Sequence, residues 1–360
     1  MIKLRYIRAI VIAISICSHT SCCTENTVWD NPAIKPADDT TNNANTSMTK
    51  PEENIFTEQS TVADVVGDRA FGTFGHLLFP VDRNISPSMT LAQISTSSVY
   101  MWYPYIRAEK TVEIINYLHA QAVSGREIFY NIYTPQEISR DPGKADTGLF
   151  VFRGELGKPY AITNAGGGFA YVGAMHDSFP HSLELCRAGY TAFALIYRPD
   201  DPYSDLARAI SFINDNAEKL GVSKENYSLW GGSAGARMAA TLGNKDYLTA
   251  LTGDASLPQA AAVIMQYTGY STASKSDAPT YNCVGSNDGI ASWHTMQNRL
   301  RQLSAMGIAT EFHVYDGLGH GFGIGTGTVA EGWVDDAIRF WEANIKKDGT
   351  TGIPPVYATK

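Results

Sequence analysis

The chain has 360 residues, 44% of them hydrophobic, 11% aromatic and 18% charged, a balance that suits an ordinary globular protein and excludes a disordered or fibrous one. Its formal net charge is −8, and it has no basic block outside its first eight residues, so nucleic-acid binding has no electrostatic footprint. No apolar stretch reaches the ~20 residues a membrane-spanning helix needs.

Lys3, Arg5 and Arg8 precede the apolar run from Ala9 to Cys17, the pattern of an export signal. Ser21 before Cys22 predicts a lipoprotein-type signal over residues 1–22 with Cys22 as the lipidated residue, although His19 stands where such signals usually carry an aliphatic one. Plain export without a lipid is the alternative. Either way the expected location is the periplasm or cell envelope, with membrane contact only through that anchor. Residues 23–62, rich in Thr, Asn, Asp, Glu and Pro, predict a flexible polar tether. A folded domain is expected over 63–347, with 63–147 as an N-terminal extension and 148–347 as the catalytic core. Residues 348–360 read as a tail.

From about residue 109 the apolar pattern alternates between helical periodicity and short continuous runs, which predicts an α/β fold with a mostly parallel twisted sheet and helices on both faces. Helices are expected over Thr111–Ala122, Ser182–Ala188, Ser204–Leu220, Ser233–Leu242, Trp293–Met306 and Val329–Ile345. Strands are expected over Glu127–Thr134, Leu149–Arg153, Tyr160–Asn164, Thr191–Tyr197, Tyr227–Trp230, Ala260–Tyr267, Pro279–Val284 and Thr310–Tyr315. Cys186 and Cys283 read as small buried apolar residues, and no metal-ligand spacing occurs.

Three constellations carry chemistry. Gly231-Gly232-Ser233-Ala234-Gly235 is a G-x-S-x-G sequence where a strand ends and a helix begins. A serine hydroxyl is a poor nucleophile, so it must stand on a sharp turn where a base can reach it. A helix-capping serine in a glycine-rich turn is the bland alternative. Asn164-Ala165-Gly166-Gly167-Gly168-Phe169 follows a strand upstream. Its Gly167 and Gly168 amides, with that of Ala234, are candidate donors to a developing oxyanion. Neither phosphate-loop signature is present. Downstream, Asp288 and His320 each follow a strand, giving the chain order Ser233, Asp288, His320 expected of a nucleophile, an orienting acid and a base. Asp316 is the rival acid. His313 reads as structural; His176 and Asp177 follow the glycine loop as candidates to line the pocket, with helix capping the favoured reading of Asp177. Trp102, Tyr103 and Tyr105 read as core aromatics, with stacking on a sugar ring as the alternative, whereas Phe169, Tyr171 and Phe322, beside the reactive loops, are candidate substrate contacts.

At these motifs, together with Gly285-Ser286-Asn287-Asp288 and Gly319-His320-Gly321-Phe322, the sequence resembles the α/β-hydrolase superfamily. Within it, the chain is similar to the exported bacterial carbohydrate-esterase group that includes acetyl-xylan-esterase-like and feruloyl-esterase-like proteins. The resemblance covers roughly residues 148–345. It implies an α/β-hydrolase fold and carboxylic-ester hydrolysis through an acyl-enzyme on Ser233, with no cofactor and a small-molecule or carbohydrate ester as substrate. Ala165 departs from the pattern, since the family's loop carries histidine there. A serine peptidase or another hydrolase with the same machinery is the alternative activity, and a non-catalytic binding module is the third.

Overall fold

The computed structural model describes residues 55–345. The expected export signal, Cys22, most of the expected tether and the tail lie outside the described residues. Within them, the eight strands β1 (Phe129–Asn131), β2 (Gly148–Phe152), β3 (Tyr160–Asn164), β4 (Thr191–Ile196), β5 (Ser228–Gly232), β6 (Ala262–Gln266), β7 (Thr280–Gly285) and β8 (Thr310–Tyr315) form one sheet. Their order is β1-β2-β4-β3-β5-β6-β7-β8. The pairs β1–β2 and β2–β4 are antiparallel, and every pair from β4 to β8 is parallel. β2 to β7 are buried along their whole length, which is why they read as continuous apolar runs rather than alternating ones.

Differences from the expected boundaries have local causes. β1 is three residues long rather than the run Glu127–Thr134, because Thr134 caps the helix Pro135–Arg140 in a reciprocal arrangement with Glu137. The expected helix Ser204–Leu220 is two helices, Pro202–Asp215 and Ala217–Leu220. Between them the Asn216 side chain donates to the Phe212 carbonyl at 2.8 Å, competing with the backbone ladder. The last helix begins at Trp333 rather than Val329, because Gly332 takes a left-handed φ of 89°. Lys245–Thr252 is a helix that the periodicity did not predict, capped by Asn244 and ended by Gly253.

The extension is joined to the sheet through one core. Phe56, Val65, Phe71, Leu91 and Ile115 belong to the same buried cluster as Phe150, Leu195, Trp230 and Trp341. The fold therefore begins earlier than residue 63. Phe56 is 4% exposed, and its backbone N–H and C=O both pair with the Asn116 side chain at 3.1 and 2.9 Å. Burying that ring ties the last residues of the expected tether to the domain, although Ile55, Thr57 and Gln59 stay exposed. Cys283 is fully buried and Cys186 partly so, both as free thiols.

Candidate active site

Ser233 lies between the end of β5 and the helix Ala234–Leu242, at the tightest bend of the chain there. Its φ of +51° is a left-handed value that costs a non-glycine residue on the order of 1–3 kcal/mol. Packing imposes it. The Ser233 N–H donates to the Gln266 carbonyl at 3.0 Å, and the Ser233 carbonyl accepts from the Arg237 N–H at 3.2 Å. The bend is this sharp because its glycines touch: a Cβ on Gly231 would collide with the Gly235 backbone, and one on Gly235 with the Asn164 carbonyl at the end of β3.

Asp288 follows β7 and His320 follows β8, so three strand ends bring the predicted residues together. His320 Nε2 lies 3.2 Å from Ser233 Oγ, and His320 Nδ1 lies 2.7 Å from Asp288 Oδ2. The other Asp288 oxygen accepts from the N–H groups of Ile290 and Ala291 at 2.8 and 2.7 Å, which fixes the carboxylate. The Asp288 side chain is 0% exposed and that of His320 8%. An imidazole whose Nδ1–H donates a hydrogen bond to a carboxylate keeps Nε2 as an acceptor, here facing a hydroxyl. Asp316, the rival acid, instead accepts from the Ser286 hydroxyl at 3.1 Å on an exposed turn. His313 pairs with Glu311 at 2.6 Å, away from this group.

The glycine loop closes the opposite side. Gly167 and Gly168 have φ of 125° and 65°. Among the described residues, no protein group accepts from the N–H of Gly167, Gly168 or Ala234. Gly168 and Ala234 line the cavity of about 190 Å³ that opens at Ser233, and Phe169 shares that lining. Gly167 sits one residue back, against the Tyr171 carbonyl. Ala165 makes no side-chain hydrogen bond where the family's histidine would stand, and its carbonyl accepts from the Tyr197 hydroxyl at 2.7 Å.

Two expected substrate contacts are corrected. Tyr171 is fully buried, with its hydroxyl on the Met101 carbonyl at 2.5 Å and its ring stacked on Trp102 at 6.1 Å. Phe322 is 2% exposed and packs edge-on against Tyr267 and Tyr315, with centroids 4.9 and 5.8 Å away. Both rings point into the core beneath the loops rather than into the cavity. Asp177 is corrected too, because it caps no helix. It is a buried acceptor for the Gly166 N–H at 2.8 Å, the Tyr103 hydroxyl at 2.9 Å and the Tyr267 hydroxyl. Burial pushes its carboxyl up to about 6, with the Tyr267, Gly166 and Tyr103 hydrogen bonds pulling the other way.

Tyr103 and Tyr267 were not expected at the site. Tyr267 lines the cavity and packs on His320 with ring centroids 4.8 Å apart. His176 lies behind the same loop; its Nε2–H donates to the Gly321 carbonyl at 2.7 Å, and burial lowers its pKa to about 4.

Strand order and strand-end site together define an α/β-hydrolase fold, with the serine turn after β5 and the histidine after β8. Residues 157–297 match the family described as BD-FAE. Among solved structures, the acetyl ester-xyloside bifunctional hydrolase of Caldicellulosiruptor lactoaceticus is similar with a TM-score of 0.51 and 20% identity, over 59% of this chain and 95% of that one. Esterase 2 of Thermogutta terrifontis, phosphorylated by paraoxon, is similar with a TM-score of 0.50 and 20% identity, over 60% of this chain and 95% of that one. No curated protein sequence matches the chain.

Proposed function

We propose that the protein is a serine carboxylic-ester hydrolase working through an acyl-enzyme. The carrying observation is the unbroken hydrogen-bond chain from Asp288 through His320 to Ser233 Oγ. Ser233 Oγ attacks the ester carbonyl while His320 Nε2 takes its proton, and Asp288 steadies the imidazolium that forms. The amides of Gly168 and Ala234, with Gly167 behind them, receive the developing oxyanion. Collapse breaks the ester C–O bond, and His320 returns the proton to the leaving alcohol. Water, activated by the same imidazole, then cleaves the acyl-enzyme and regenerates Ser233.

Small acyl groups suit the cavity, whose ~190 Å³ falls below the 300–1,000 Å³ of drug-sized sites. Carbohydrate is the proposed alcohol, and acetyl the proposed acyl group. Trp102, 38% exposed, lies against Gly168 and offers an aromatic face beside the reacting centre. The BD-FAE match spans the glycine loop, Ser233 and Asp288 and supports an ester substrate. Export to the periplasm or cell envelope, through the signal at residues 1–22 and lipidation of Cys22, belongs to the same proposal.

The test is hydrolysis of aryl esters from acetate to octanoate, plus methyl ferulate, by the purified protein and its Ser233→Ala variant. Acetate-selective turnover that falls by about 10⁵-fold or more in Ser233→Ala, with little change in thermal stability, is the expected result. Turnover near wild type in the variant removes Ser233 as the nucleophile.

A further inference from the structure

Arg237 stands four residues after Ser233 on the helix Ala234–Leu242, one turn further along the same face and about 6 Å along the axis. It lines the Ser233 cavity together with Gly168 and Phe169, and it is exposed. Among the described residues no carboxylate lies within ion-pair distance of its guanidinium, whereas Arg198 is paired with Asp205 and Arg299 with Asp277. The cavity lining contains no Asp or Glu. Asp288, just upstream of the lining residues Ile290 and Ala291, is committed to His320 and screened from solvent. A chain of net charge −8 thus presents an uncompensated positive charge one helical turn from its reactive serine. Behind the lining, the Tyr203 ring packs on Phe169 with centroids 6.0 Å apart.

We infer that the ester cleaved at Ser233 carries a carboxylate and that Arg237 holds it. The inference rests on the ester-hydrolase reading and names its substrate class. A guanidinium presents a planar fork that matches a carboxylate in two parallel hydrogen bonds, which a lysine cannot reproduce. Its place one turn from Ser233 puts the anion several bonds from the scissile carbonyl. Half-esters of dicarboxylic acids and O-acylated hydroxy or uronic acids have that shape.

Two matched substrate pairs locate the anion. An aryl hemiglutarate against the aryl pentanoate places it on the acyl side, and 4-acetoxybenzoate against its methyl ester places it on the alcohol side. For each pair the ratio of kcat/KM values, normalised to the hydroxide-catalysed rates, is measured at low salt for wild type, Arg237→Gln and Arg237→Lys. In at least one pair the wild type should favour the anion by roughly ten- to hundredfold, the scale of a charged hydrogen-bonded pair. That preference should fall close to one in Arg237→Gln, survive in part in Arg237→Lys and erode as salt is raised. A ratio near or below one in both pairs overturns the inference while leaving ester hydrolysis standing, and so does a preference that persists in Arg237→Gln. If Arg237→Gln fails to fold, the salt dependence of the wild-type ratio and the Arg237→Lys ratio decide in its place: both unchanged overturn the inference. No Ser233-dependent hydrolysis of the neutral esters would instead sink the reading beneath it, and this inference with it.

Discussion

The two walls of the Ser233 cavity are held by different kinds of contact. On one wall, Ser233, Asp288 and His320 each ride on their own strand end and meet through side-chain hydrogen bonds of 2.7 and 3.2 Å. On the other, the glycine loop has few side chains of its own and hangs from Asp177, which accepts from Gly166, Tyr103 and Tyr267. The reacting wall is chemistry laid over a sheet that folds without it. The loop wall is part of the core, held by the Tyr197 hydroxyl on the Ala165 carbonyl and by backbone bonds at Gly166 and Gly167, with Asp177 as its buried side-chain acceptor.

That contrast predicts opposite profiles for two single substitutions. Asp288→Asn, on the reacting wall, should slow ester hydrolysis by ~10³–10⁴-fold through loss of imidazole orientation, with little change in unfolding midpoint. Steady-state kinetics alongside a thermal melt checks both halves. Asp177→Ala strands a backbone N–H and two tyrosine hydroxyls in the interior. At ~1–3 kcal/mol for each unsatisfied group, partly relieved by relaxation, the expected loss is about 3–5 kcal/mol of stability, together with a lower kcat. A variant that melts like wild type would show that the loop does not hang from Asp177.

A third expectation concerns pH. Burial lowers His176 to about 4 and His181 to about 3, so both are neutral in the folded protein where an exposed imidazole would be charged. Folded pKa values below the unfolded one give stability that is present above about pH 6.5 and lost as pH falls towards 4. Asp177 runs the other way: its folded pKa, raised to about 6, gives stability that is present at low pH and lost as pH rises through 6. Between pH 4 and 6 the unfolded chain binds two protons at these histidines while the folded one binds one at Asp177. These three groups should therefore contribute a rise of roughly 1.4 kcal/mol per pH unit across this window. Urea unfolding at pH 4, 5 and 6 checks the slope, and Asp177→Asn should steepen it. The smallest effect belongs to Asp316→Asn, on an exposed turn: stability within about 0.5 kcal/mol and turnover within a few-fold of wild type. Greater damage there than in Asp288→Asn would reassign the acid.

The same division separates what could be read from the sequence from what could not. Ser233, Asp288, His320 and the glycine loop lie in short turns after apolar runs, and such turns are specified by neighbours along the chain. β2 to β7 were legible for a related reason, since strands buried along their whole length are continuous apolar runs. Asp177 is different: its hydroxyl partners lie 74 and 90 residues away, and nothing local distinguishes it from a helix cap. Tyr171 and Phe322 were misplaced because adjacency to a reactive loop does not say on which side of the loop a ring falls. The helix Lys245–Thr252 was legible after all, through Asn244 as its cap and Gly253 as its left-handed stop, but its apolar stripe is thin, with Leu248 as its buried residue.

On the proposed mechanism Ser233 becomes covalently acylated by the action of His320. Treating the protein with an organophosphate and locating the adduct by peptide mass spectrometry tests this most directly. One phosphoryl group per chain is expected, on the peptide containing Ser233, with loss of ester hydrolysis in proportion to labelling and no adduct in Ser233→Ala. An active protein that takes no label, or takes it at a residue other than Ser233, would contradict it.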